Sequence, residues 1–113
     1  MNFGLDTQRK ALGIIETRGR ASLMEAADCA VKAAQVDILA SYFVGGGCNA
    51  VTLTGDVGSL RAALDAAQGL IDRLGVDGCT HLIPRLAGQV WLMIAPQAVR
   101  NAENVTETGN GTE

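Results

Sequence analysis

Residues 36–54 read VDILASYFVGGGCNAVTLT, and the fold turns on how that stretch divides. An apolar run from Val36 to Val44 meets three consecutive glycines, Gly45, Gly46 and Gly47. Cys48 and Asn49 follow, then a second run, Ala50 to Thr54, in which Val51 and Leu53 alternate with Thr52 and Thr54. Alternation with a period of two is the pattern of a strand with one face buried. Two strands joined by a short glycine connection predict an antiparallel hairpin. Glycine accepts backbone angles that other residues avoid, and it lets a ligand or another backbone come close.

The glycines also invite a phosphate-loop reading. Gly45 and Gly47 with Ala50 formally fit G-x-G-x-x-A. A dinucleotide site needs a helix to begin there, so that its N-terminus meets the pyrophosphate. A strand follows instead, and no Walker lysine comes after the glycines. Both facts argue against a nucleotide.

Upstream of the hairpin, residues 11–17 (ALGIIET) are short, apolar and bounded by charge, which predicts a strand. Gly13 within it predicts a close approach of neighbouring groups. Over residues 22–34, Leu23, Ala26, Ala27, Ala30, Val31 and Ala34 recur at helical spacing. Most of that stripe is alanine, which lets a helix sit close to a sheet. Glu25, Asp28 and Lys32 fall on the opposite face.

Downstream, Asp56 is a good N-cap: its carboxylate accepts from free first-turn amides and suits the helix dipole. Val57, Leu60, Leu64, Ala67, Ile71 and Leu74 form one stripe, and Gly75 is the expected C′ residue. Residues 79–83 predict a last short strand stopped by Pro84. Residues 89–94 predict a short helix holding Trp91. The order is strand, helix, strand, strand, helix, strand, short helix. This is an α/β (α+β) fold, ferredoxin-like βαββαβ: a four-stranded antiparallel sheet with two helices on one face and a short C-terminal helix. Residues 1–9 are expected as a loose N-terminal extension, 10–96 as the domain, and the polar residues 97–113 as a disordered tail.

Length and composition narrow the function. The chain has 113 residues, enough for one core. Apolar residues make up 48% of it, yet no run reaches the roughly 18 residues of a membrane span. The start lacks the apolar core of a signal peptide, so a cytoplasmic protein is the expectation. Net charge is -3, the nine Lys and Arg are scattered, and aromatics are few. Neither a phosphate track nor a base-stacking platform is supplied, so no nucleic acid partner is expected.

Catalytic groups are equally sparse. Cys29, Cys48 and Cys79 are odd in number and do not make a disulfide framework. Cys29 and Cys79 lie in apolar patterns and are expected to be buried thiols. Cys79 and His81 could supply two zinc ligands, but no second pair completes four. No serine sits in a nucleophile elbow, and no acidic pair stands out as acid and base. From the residues alone, the chain is a small alanine-rich domain with polar, glycine-rich connections, poorly equipped as an enzyme.

The ordered motifs carry a resemblance. Residues 11–19 (ALGIIETRG) resemble the opening strand of bacterial microcompartment shell proteins of the single-domain hexameric class. Glu25–Asp28 with Ala30–Ala34 resembles the family's first helix. Gly45–Gly47, Thr54–Gly58 and His81–Arg85 follow in order and at the family's spacing. The resemblance implies a structural protein, not an enzyme. It implies six copies in a flat tile with a central pore, and tiles that meet edge to edge in a polyhedral shell. Partners would be further copies of itself, other shell proteins and encapsulated enzymes, with no membrane involved.

The resemblance also assigns roles. Lys32 matches the family's edge lysine, Arg85 the arginine that reaches across the same edge, and Gln35 a frequent polar edge position. The family commonly continues with Pro-His, whereas this chain has Leu86–Ala87, a departure at the edge. Gly45, Gly46 and Gly47 match the pore loop. Its central residue is often serine in the family and is Gly46 here, so only backbone groups are expected at the constriction, suiting small polar or anionic metabolites. Cys48 would lie beside that ring. It is read as a packed thiol, with no metal and no cofactor. The rival reading is a ferredoxin-like regulatory module that binds a small ligand between subunits.

Overall fold

A computed structural model describes residues 11–94. The readings made for residues 1–10 and 95–113, including the loose extension and the polar tail, lie outside them. Four strands and two long helices alternate: β1 (Ala11–Arg18), α1 (Arg20–Ala33), β2 (Asp37–Gly45), β3 (Cys48–Gly55), α2 (Val57–Leu74) and β4 (Gly78–Ile83). A short helix, α3, covers 88–94. The sheet order is β2-β3-β1-β4 and every pairing is antiparallel. That is the ferredoxin-like βαββαβ arrangement which the order of elements predicts.

One face of β1 carries Ala11, Gly13, Ile15 and Thr17, all buried under the helices. Alanines of both helices, Ala26 and Ala30 with Ala63 and Ala67, are fully enclosed in this core. A methyl group is all that fits where two helices and a sheet meet. Gly13 is glycine for the same reason: a Cβ there would lie 2.9 Å from Leu60 Cδ1 and 3.2 Å from Leu64 Cδ1. Cys29 sits between the helices, half-buried, with Sγ donating to Ala66 O at 3.5 Å.

The opposite face of the sheet has a smaller cluster of Leu12, Leu39, Leu86 and Trp91, with Trp91 brought in by α3. This cover corrects the expectation of a single buried face on β3. Thr52 and Thr54 are both buried, because β3 is a central strand under apolar groups on both sides. Their hydroxyls donate to sheet carbonyls, Ala40 O and Ala11 O, so burial leaves them satisfied.

Helix ends follow the sequence. Asp56 Oδ1 accepts from Ser59 N at 2.8 Å, and Gly75 takes the left-handed conformation and donates to Ile71 O and Asp72 O. Gln68 on α2 accepts from both the amide and the hydroxyl of Thr80, which ties α2 to the edge strand β4. Three apolar positions depart from expectation. Val31, Leu74 and Cys79 are exposed, the last on the edge strand β4, at the end remote from Ile83 and the Trp91 cluster.

Candidate functional site

Strand register places the singled-out residues at two opposite ends of the sheet. At one end Arg18 pairs with Cys48, Thr17 with Gly78, and Gly45 with Cys48 across the hairpin. At the other, Ala11 pairs with Gly55, Leu12 with Ile83, and Asp37 with Thr54. The ends are separated by the length of β1, about 23 Å at roughly 3.3 Å per residue.

The glycine end is tighter than the sequence suggested. Gly45 and Cys48 already belong to the strands, and only Gly46 and Gly47 form the connection. All three glycines have positive φ: 106°, 61° and 83° for Gly45, Gly46 and Gly47. Positive φ at both central residues is the hallmark of the primed turns that match the twist of a hairpin. A register irregularity between Phe43 and Gly45 precedes the turn. A Cβ on Gly45 or Gly46 would meet nothing within 4 Å, so this loop projects from the subunit. Phe43 and Val44 beside it are 72% and 60% exposed.

Arg18 is the residue that sequence reasoning missed. Its Nη1 donates to Gly46 O at 2.8 Å, across 28 positions of chain. Its Nε lies 3.5 Å from Asp77 Oδ2, and its backbone amide donates to Asp77 O. No local pattern signals this; it follows from Arg18 lying opposite Cys48 in the β1–β3 register. The turn is held further by Gly19 N and Asn49 Nδ2, which both donate to Gly47 O, at 2.7 and 3.2 Å. Arg20 covers Phe43 with its guanidinium 4.2 Å from the ring centroid, a cation–π contact. An open groove of about 250 Å³ runs behind the turn, lined by Glu16, Arg18, Asp77 and the two half-buried or exposed thiols Cys48 and Cys79. The expectation that only backbone lines this end therefore needs amending: the loop has no charged residue, but a guanidinium reaches it.

The other end holds Lys32, Gln35 and Arg85, all exposed. Lys32 lies in the last turn of α1, where a cation suits the helix dipole. Its Nζ lies 2.9 Å from Asp28 Oδ2, one helical turn back. That hydrogen bond, with the attraction of the Asp28 charge, raises the lysine above its ordinary value. Gln35 lies in the link to β2, its carbonyl close under Gly55. Arg85 follows Pro84 at the end of β4 and opens onto a shallow hollow with Leu86, Ala87 and Gly88. His81 is exposed on β4 opposite Ile14. Among the described residues, no three His, Cys, Asp or Glu side chains are grouped as metal ligands.

With this geometry in hand, comparison with known proteins is decisive. The BMC domain family matches residues 11–86. The chain belongs to the single-domain shell proteins of bacterial microcompartments. It is 42% identical over 81 residues to the bacterial microcompartment shell protein EutM of Salmonella typhimurium, covering 72% of this chain and 84% of that one. It is 42% identical over 92 residues to the major carboxysome shell protein CsoS1A of Halothiobacillus neapolitanus, covering 78% and 93%. Among solved structures it resembles a microcompartments protein from Desulfitobacterium hafniense DCB, with a TM-score of 0.66 and 31% identity. That likeness covers 77% of this chain but 47% of the other, so this chain spans about half of it. Shell proteins are structural components of a compartment in the bacterial cytoplasm, and this shell protein's role is accordingly structural and not catalytic.

Proposed function

We propose that the chain forms a homohexameric tile of a microcompartment shell. In this tile Gly45, Gly46 and Gly47 ring a central pore for small polar metabolites, and Lys32, Arg85 and Gln35 lie on the outer edge. The observation that carries the reading is the separation of these two sets onto opposite ends of one sheet. A wedge-shaped subunit in a ring needs one end at the axis and the other at the rim. The projecting turn, with open space where a side chain on Gly45 or Gly46 would lie, suits the axis. Exposed Phe43 and Val44, next to it, need cover that a neighbouring copy would supply.

At the rim, Lys32 and Arg85 present donors to a facing tile, and the guanidinium suits backbone carbonyls there. Asp28 keeps the lysine protonated but offsets its charge, which eases the approach of two like edges related by two-fold symmetry. Other shell proteins of the same compartment and its enzymes would be the remaining partners. Cys48 is a packed thiol next to the turn in this reading, and residues 10–96 form the tile.

Native mass spectrometry tests the reading directly. Six copies in solution, and flat sheets or tubes by electron microscopy at high concentration, are expected. A stable dimer or trimer with saturable small-ligand binding would overturn it in favour of a regulatory module.

A further inference from the structure

The sheet has two edge strands, β2 and β4, and they are not alike. β2 carries register irregularities between Ile38 and Ala40 and between Phe43 and Gly45. Such irregularities disrupt the ladder and discourage pairing with a further strand. β4 pairs with β1 in unbroken register from Gly78 to Ile83. It is therefore the edge that could accept another strand.

Alternation along that register shows which groups point outward. Arg18 N donates to Asp77 O, which makes theirs a hydrogen-bonded pair. Every second pair is then of the same kind: Glu16 with Cys79, Ile14 with His81, Leu12 with Ile83. Gly78, Thr80 and Leu82 accordingly turn their backbone N–H and C=O groups away from β1. These three residues would build the ladder with a second copy of β4. Antiparallel pairing is self-complementary, so a two-fold axis at Thr80 sets Thr80 opposite its own counterpart and Gly78 opposite Leu82.

The centre of that ladder is already occupied. Gln68 Oε1, from α2, accepts from Thr80 N at 3.0 Å and from Thr80 Oγ1 at 3.2 Å. Gln68 Nε2 donates to Asp72 Oδ1 at 3.1 Å, one helical turn on, which turns the amide oxygen toward the strand. A helix side chain thus takes the place that a carbonyl of a second strand would take. We propose that Gln68 governs how copies of this chain associate: it blocks strand addition at β4 and so excludes a two-fold dimer in which two sheets join edge to edge. Such a dimer closes on itself and uses up the edge, so it competes with any ring. The consequence for the tile rests on the six-fold reading; the block at Thr80 does not.

Native mass spectrometry of the full chain tests the assignment. The wild-type mass is read first, and a count other than six overturns the tile while the variants still decide the role of Gln68. Gln68→Ala should produce a dimer at the expense of the wild-type species. Adding Thr80→Pro should abolish that dimer, because proline removes the outward donor without costing a bond to β1. A dimer caused by general loosening of the fold would survive the proline. Gln68→Glu combined with Asp72→Asn keeps an acceptor at Thr80 and a donor beside it, and should assemble as wild type does. Absence of the dimer in Gln68→Ala protein that circular dichroism shows to be folded, or a dimer that persists with Thr80→Pro, would overturn the assignment.

Discussion

Substituting the three glycines one at a time separates backbone demand from crowding by a neighbouring copy. Within the subunit there is room: a Cβ on Gly45 or Gly46 meets nothing within 4 Å, and on Gly47 it meets only Arg18 Cγ and Nη1 at 3.8 Å. The cost of alanine is therefore conformational. Gly46, at φ 61°, sits in the left-handed well, where an L-residue costs roughly 1–2 kcal/mol. Stiffening the unfolded chain returns about 0.4–1 kcal/mol, so Gly46→Ala should destabilise by about 1 kcal/mol. Gly45, at φ 106°, lies beyond that well, and strain towards the upper end of about 1–3 kcal/mol applies. Gly45→Ala should cost about 2 kcal/mol, and Gly47→Ala, at φ 83°, an intermediate amount. Gly46→Asn should be the mildest change, because asparagine tolerates left-handed geometry best. Urea midpoints at one fixed chain concentration give the order, since association of copies adds to apparent stability. Equal costs at all three positions would refute the argument from backbone angle. If Gly46→Ala keeps a near-native midpoint yet abolishes the oligomer, close approach of another copy is the true demand.

Lys32→Ala or Arg85→Ala should weaken sheets seen by electron microscopy while native mass still reports the oligomer; sheets as extensive as wild type would remove these residues from the edge. Gly78→Ala should destabilise by about 2 kcal/mol, because the new Cβ would sit 2.8 Å from Glu16 O, a backbone atom that cannot swing away; an unchanged thermal midpoint would contradict the packing. Asp56 has its carboxyl held below the ordinary 3.8, chiefly by the Ser59 backbone amide and then by the Ser59 hydroxyl. Its stabilising contribution is therefore present above the unfolded value and lost as pH falls through the lower folded value. The stability gap between wild type and Asp56→Ala should accordingly narrow in acid, and a gap that widens below pH 4 would reverse that sign.

Much of the fold was legible because its signals are local. Asp56 and Gly75 bracket α2 through contacts within a turn of the helix, and the alanine stripe of α1 reflects how closely it must pack. Periodicity failed where neighbours decide. Thr52 and Thr54 alternate like solvent-facing residues, yet both are buried, because Trp91 and Leu86 arrive from a later part of the chain to cover that face. Cys79 reads as apolar and is exposed, because its strand ends the sheet.

The order of elements, the hairpin centred on its glycines, and the motifs that mark a shell protein are all written along the chain. All of these are properties of neighbouring residues or of their spacing. Tertiary structure decided what surrounds the glycine turn. Only the β1–β3 register sets Arg18 opposite Cys48, and only that register lets a guanidinium from the first strand reach a carbonyl 28 residues on. Register is a property of paired strands, with no trace in either strand alone. A turn that reads as bare backbone is therefore, in the folded chain, backbone with its acceptors filled and a fixed positive charge behind it.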